Sequence, residues 1–198
     1  MVQYASLYND YVPYQLDRPY KDDKRSFLRR WDALNGMKWV PASNGEIPPD
    51  AVVAGRDGKQ KLFVGRAEVM ESVALGSVIP EEKACFVPWG GKNYERKHYE
   101  VLCSNGRFVP VESYNILVSG TPAGISEQGE PLYIGRAKYK GSLISGKIQR
   151  SYDTFYLPYK KKEVELKISD AEIFIKGSDE HRRSNRLQTL ASSSRKFF

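Results

Sequence analysis

Two cysteines in 198 residues are too few to staple a fold. Two histidines, at positions 98 and 181, make no zinc pattern with them. No apolar stretch approaches the roughly 18 residues that crossing a bilayer requires. The opening MVQYASLYNDYVPYQLD has no basic stretch leading into an apolar one, so no secretory signal is expected. These absences point to a soluble protein of a reducing compartment, with Cys85 and Cys103 as free core thiols. The expected location is cytoplasmic, with vesicle association or non-classical release as variants. Cys85 and His98 tempt one towards a thiol nucleophile, but no third, orienting group stands at a recognisable spacing. No carboxylate pair announces glycosidase chemistry either. No enzyme activity, cofactor or metal is expected.

Charge of one sign is scarce in the middle of the chain. The net charge is +7, yet residues 1–38 carry 7 basic and 5 acidic groups, residues 39–176 carry 19 and 17, and residues 177–198 carry 5 and 2. A nucleic-acid binder concentrates Lys and Arg on one folded face, so no nucleic-acid partner is expected.

Aromatic residues are plentiful, with 13 Tyr and 8 Phe. Residues 1–21 read as an irregular Tyr-rich arm, because Pro13 and Pro19 forbid a long helix. In DDKRSFLRRWDALNG, Asp22 or Asp23 can cap a helix, Phe27, Trp31 and Leu34 recur at helical spacing, and Asn35-Gly36 ends the pattern. Phe27, Leu28, Trp31 and Leu34 are expected to cover one side of the body. From Trp39 onward, short runs of β-branched and aromatic residues, such as LFVGRAEV, ACFVPW and TFYLPY, alternate with Gly, Pro and Asn, as in antiparallel all-β proteins.

Self-similarity is the strongest signal. WVPASNGEIPPDAVVAG from Trp39 aligns with FVPVESYNILVSGTPAG from Phe108; LFVGRAEVMESVALGSVIP from Leu62 aligns with LYIGRAKYKGSLISGKIQR from Leu132; FVPWGGKN from Phe86 aligns with YLPYKKKE from Tyr156. A copied unit of a few strands cannot bury its apolar face alone, whereas two copies can bury each other's. The fold class expected is all-β: two pseudo-symmetric antiparallel sheet lobes from a tandem repeat, with strands exchanged between them or not, plus one short N-terminal helix. The division expected is 1–38 for arm and helix, 39–177 for the repeats (39–103 and 108–177), and 178–198 for a mobile basic tail.

The W-V-P start, the Ala-Gly-x-Asp turn at Ala54 to Asp57, L-F-V-G-R-A, a Gly-Lys turn, aromatic-V-P-aromatic-Gly-Gly-Lys and the closing Tyr-Glu-Val-Leu resemble the DM-nine repeat family. That resemblance implies a mannose-specific lectin of innate pattern recognition, dimeric and metal-free, whose sugar is held by the Asp of the first turn and the Lys of the second within one repeat. Other members imply an alternative: an intracellular or vesicle-associated interaction protein with no sugar, reaching a vesicle or membrane surface through its basic tail.

Carried onto this chain, the pair is split. The first repeat has Asp57 but Gly76-Ser77; the second has Gly146-Lys147 but Ser126, followed by Glu127. Glu127 could replace the Asp, Asp57 and Lys147 could meet across the pseudo-two-fold, or the site could have decayed. A carboxylate accepting from vicinal hydroxyls beside a donating ammonium is suited to a sugar. The plainer readings are a β-turn Asp at 57, a solvated Lys147, and structural ion pairs for Arg66 and Arg136. Trp89-Gly90-Gly91-Lys92 could offer amides and a cation to an anion, and the Lys160-Lys161-Lys162 run could grip acidic glycans or phospholipid headgroups.

Overall fold

The computed structural model describes residues 24–177; the expected arm, the cap candidates Asp22 and Asp23, and the expected tail lie outside them. Helix α1 spans Lys24–Asn35. It ends where Gly36 adopts φ +60° and Met37 N–H reaches back to the Asp32 carbonyl at 2.7 Å, a geometry that glycine takes without a Cβ penalty. The face it buries departs from the expected one. Leu28 and Asp32 are buried, Phe27 and Trp31 pack edge to face at 4.8 Å, and Leu34 is 81% exposed. The stripe turns by about one position because Asp32 is drawn inward by Arg66, a partner that helical periodicity does not reveal.

The first repeat forms β1 (Trp39–Ser43), β2 (Val53–Asp57), β3 (Gln60–Val69), β4 (Ser72–Ile79), β5 (Ala84–Trp89), β6 (Lys92–Arg96) and β7 (His98–Leu102). The second forms β8 (Gly106–Pro110), a short helix α2 (Tyr114–Val118), β9 (Pro122–Ile125), β10 (Pro131–Tyr139), β11 (Ser142–Gln149), β12 (Thr154–Tyr159), β13 (Lys162–Lys167) and β14 (Glu172–Lys176). The fold is mostly β, with 56% of the described residues in strands, in a barrel-like sheet. Within each repeat the pairings match: β1–β7 with β8–β14, β3–β4 with β10–β11, β5–β6 with β12–β13.

The lobes are not separate bodies. β2 pairs with β3 of its own repeat and also with β11 of the other, through Arg56 and Leu143. β9 pairs with β10 and also with β4, through Ile125 and Val73. The β5–β6 and β12–β13 hairpins meet where Lys92 stands opposite Lys162. All fourteen strands therefore belong to one hydrogen-bonded network.

The exchange needs backbones to pass closely. A Cβ on Gly55 would lie 2.1 Å from the Leu143 carbonyl of the other repeat, and, within the second repeat, one on Gly146 would lie 2.0 Å from the Tyr156 carbonyl of the neighbouring strand. The Ala-Gly-x-Asp segment and the Gly-Lys pair are thus close strand crossings rather than turns. The main core cluster spans both repeats, with Leu62, Val64 and Leu75 from the first packing in the same cluster as Ile134, Ile148 and Phe155 from the second. Each such burial contributes about 1.5–3 kcal/mol. Cys85 lies in a second, apolar cluster with Val87 and Val101, where burial pushes its thiol far up.

Candidate functional site

The duplicated arginines are structural. Arg66 is buried, bonds Asp32 at 2.7 Å, Glu100 at 2.8 Å and the Ala123 carbonyl at 3.0 Å, and lies 4.2 Å from the Trp39 ring centroid. Arg136 repeats this with Glu172, the Ala54 carbonyl at 3.1 Å and Phe108 at 4.1 Å. Each arginine reaches the carbonyl of the exchanged strand and so fastens one repeat to the other. Asp32 has no counterpart in the second repeat; burial raises its pKa, partly offset by Arg66.

Asp57 and Lys147 do not meet. The Asp57 carboxylate is exposed and accepts a hydrogen bond from Ser142 Oγ at the start of β11. Lys147 lies five residues further along that strand, about 17 Å at 3.3 Å per residue. Its ammonium is buried rather than solvated, 2.9 Å from Glu163 Oε1 and 2.8 Å from the Pro88 carbonyl, and 5.0 Å from the Tyr156 ring centroid. Burial lowers its pKa, and Glu163 and then Glu127 pull it back up. Of the proposed substitutes, then, Glu127 comes within electrostatic reach of Lys147, while its backbone carbonyl accepts from Lys24 at 3.0 Å.

The remaining positions serve the scaffold. Ser126 is buried and its Oγ accepts from Glu130 N–H at 2.9 Å, closing the β9–β10 loop. Ser77 is buried and shares hydrogen bonds with Ser145 across the pseudo-two-fold, Oγ to Oγ at 2.8 Å. In the Gly-Gly-Lys stretch, the Gly91 amide already donates to Glu163 Oε2 at 2.6 Å. Among the described residues, no group of three or more His, Cys, Asp or Glu could hold a metal ion, and no helix is long and apolar enough to cross a membrane.

Two concavities flank the exchanged strands. The larger, about 450 Å³, runs between α1 and the β1–β7–β3 sheet. Its cations are committed: Arg66 as above, Arg25 to Glu68, Lys97 to Glu95, and Arg96 Nε to the Glu68 carbonyl at 2.8 Å. The smaller, about 270 Å³, is lined by Arg56, Lys138, Tyr139, Lys140, Ser142 and Leu143, with Gly141 at its edge. Asp57 stands at its rim through Ser142. Sequence reasoning missed Tyr139, Ser142 and Lys138; the signal available for Tyr139 and Lys138 was their departure from the first-repeat counterparts Val69 and Glu68, whereas Ser142 matches Ser72 and carried none.

The internal duplication agrees with comparison to known proteins. The profile of the DM9 repeat matches residues 11–78 and again 57–166. The chain belongs to the DM9 repeat family. Natterin-4 of Thalassophryne nattereri is 27% identical over 182 residues, covering 83% of this chain and 44% of that protein. Natterin-3 of the same organism is 32% identical over 87 residues, covering 44% and 22%. This DM9 chain thus spans less than half the length of these relatives. In fold it is similar to the crystal structure of the nematode sperm cell motility protein MFP2B, with TM-score 0.55 and 13% identity over 70% of this chain and 46% of that one.

Proposed function

We propose that this DM9 protein is a non-enzymatic, lectin-like binder of mannose-type glycans, with its sugar corner at Asp57 and Ser142. One observation carries the reading: an exposed carboxylate, oriented by a serine hydroxyl, at the rim of a concavity that also presents an aromatic ring and lysine donors. Asp57 keeps lone pairs for vicinal hydroxyls, Lys138 and Lys140 can donate, and Tyr139 offers an apolar face for ring C–H groups. Apart from Asp57 at the rim, no carboxylate, cysteine or histidine lines the concavity, which suits binding better than bond cleavage. A single shallow site binds weakly, so a homodimer would supply avidity. Recognition of microbial glycans in innate immunity is the role this chemistry would serve.

The test is retention on mannan-agarose and titration with a mannose oligosaccharide. The wild type should bind and Asp57→Ala should not, with unchanged thermal stability. Equal binding by Asp57→Ala, or loss only on Glu127→Ala, would move the site to the Lys147 region; no binding by the wild type would leave the interaction-protein alternative.

A further inference from the structure

The β10–β11 tip (Lys140, Gly141) and the β12–β13 tip (Lys160, Lys161) lie side by side, because Tyr139 and Tyr159 pack edge to face at 5.0 Å. The Lys140 ammonium is 5.6 Å from the Tyr139 ring centroid and 5.8 Å from that of Tyr159, and the Lys160 ammonium is 5.6 Å from Tyr159. Lys162 pairs directly with Tyr159 across its hairpin and with Lys92 across the repeat junction. Residues directly opposite in a ladder share a face, so these lysines continue the same strip, and the Lys92–Lys162 pair repels.

Nothing inside the described residues neutralises this strip. Lys92, Lys138, Lys140, Lys160, Lys161 and Lys162 make no ion pair among them; Glu163 is taken by Lys147 and Gly91, and Asp57, the one carboxylate at the edge of the strip, is bonded to Ser142 and not to a lysine. Lys160 also sits at φ +53°, in the left-handed region where its counterpart is Gly90 at φ +56°. A lysine there gains no local geometry over glycine. The first repeat shows the opposite arrangement. Its corresponding hairpin carries Glu68 and Glu71, and α1 covers it: Arg25 pairs with Glu68 and Lys24 donates to the Glu71 carbonyl.

We propose that the second repeat's tips form a site for clustered phosphate groups, of the kind an inositol polyphosphate carries either free or as a lipid headgroup. Compact ammonium groups, each with three donors, suit small anions of high charge density, and aromatic rings beneath them keep the charges outward and in place. The strip shares Lys138 and Lys140 with the Asp57 corner but does not need the Asp57 carboxylate.

The test uses the full chain. Inositol hexakisphosphate is titrated calorimetrically, and sedimentation is followed with phosphatidylcholine vesicles with and without phosphatidylinositol bisphosphate. Binding should weaken about tenfold or more in the double variant Lys140→Gly/Lys160→Gly, should fall with salt, and should persist in Asp57→Ala. Glycine is compatible with both backbone positions, so a thermal melt separates loss of charge from loss of fold. Soluble binding alone assigns the free anion and co-sedimentation with the doped vesicles assigns the headgroup; both support the site. Equal affinity in the double variant, no binding in either arm, or loss only on Arg182→Ala/Arg183→Ala/Arg186→Ala in the tail would overturn it. Mannan binding is scored separately, so failure of the sugar reading leaves this result unaffected.

Discussion

On the first repeat, Leu28 of α1 packs on Val73 and Ile125, beside a hairpin bearing Glu68 and Glu71. On the second, the matching seat is made by Leu143 and Arg56, beside a hairpin bearing Lys138 and Lys140, and it is an open concavity. The backbone crossing is the same in both; the charges at the hairpin are reversed. A basic helix start such as Lys24-Arg25 complements the first seat and would be repelled by the second. Duplication therefore made two equivalent scaffolds, and a few side chains decided which is closed by α1 and which stays open among the described residues.

The largest effect that separates the two repeats is expected at Lys147 and its counterpart Ser77. Lys147→Met would leave the Glu163 carboxylate buried without its cation, costing about 3–5 kcal/mol in denaturant unfolding. Ser77→Ala removes one buried hydroxyl network member and should cost about 1–2 kcal/mol. The pH dependence has a defined sign. Because the folded pKa of Lys147 is lowered, the unfolded chain binds more protons between that value and 10.5, so this group's contribution to stability rises with pH across the window. Lys147→Met should abolish that rise.

Next come the arginines. Arg66→Ala strands Asp32 and Glu100 and should cost about 3 kcal/mol or more, whereas Arg136→Ala, at a side chain 22% exposed, should cost roughly half as much. Equal losses would mean that α1 adds nothing to the first repeat. Leu28→Ala should then loosen α1 by about 2–3 kcal/mol, measured by hydrogen exchange in residues 24–35, while Leu34→Ala should leave it unchanged. The smallest effect is at the tips: Lys160→Gly should stabilise by about 1 kcal/mol, and Gly90→Lys should destabilise by a similar amount.

The sequence displayed the duplication because strand patterns and Gly-Arg-Ala blocks are local and survive copying. It also displayed the structural role of Arg66 and Arg136, since both follow the glycine of matching strands. The strand exchange stayed open because each junction rests on one or two residue pairs, such as Arg56 with Leu143, that no local pattern encodes. Gly55 looked like a turn residue because the carbonyl it must admit, that of Leu143, lies far away in the chain, and Gly146 because its close approach to Tyr156 on the next strand leaves no local pattern. Lys147 looked solvated because its partner Glu163 sits on another strand. The open seat was legible only in comparison, where Lys138 and Lys140 replace Glu68 and Met70.

The most direct measurement is an amide NMR titration of the full chain with a mannose oligosaccharide, comparing equivalent positions of the two repeats. Shifts should cluster at Arg56, Asp57 and residues 138–143 and be absent at their counterparts Ile125, Ser126 and residues 68–73. Equal shifts in both sets, or shifts confined to the surroundings of Lys147, would contradict the account of one closed seat and one open one.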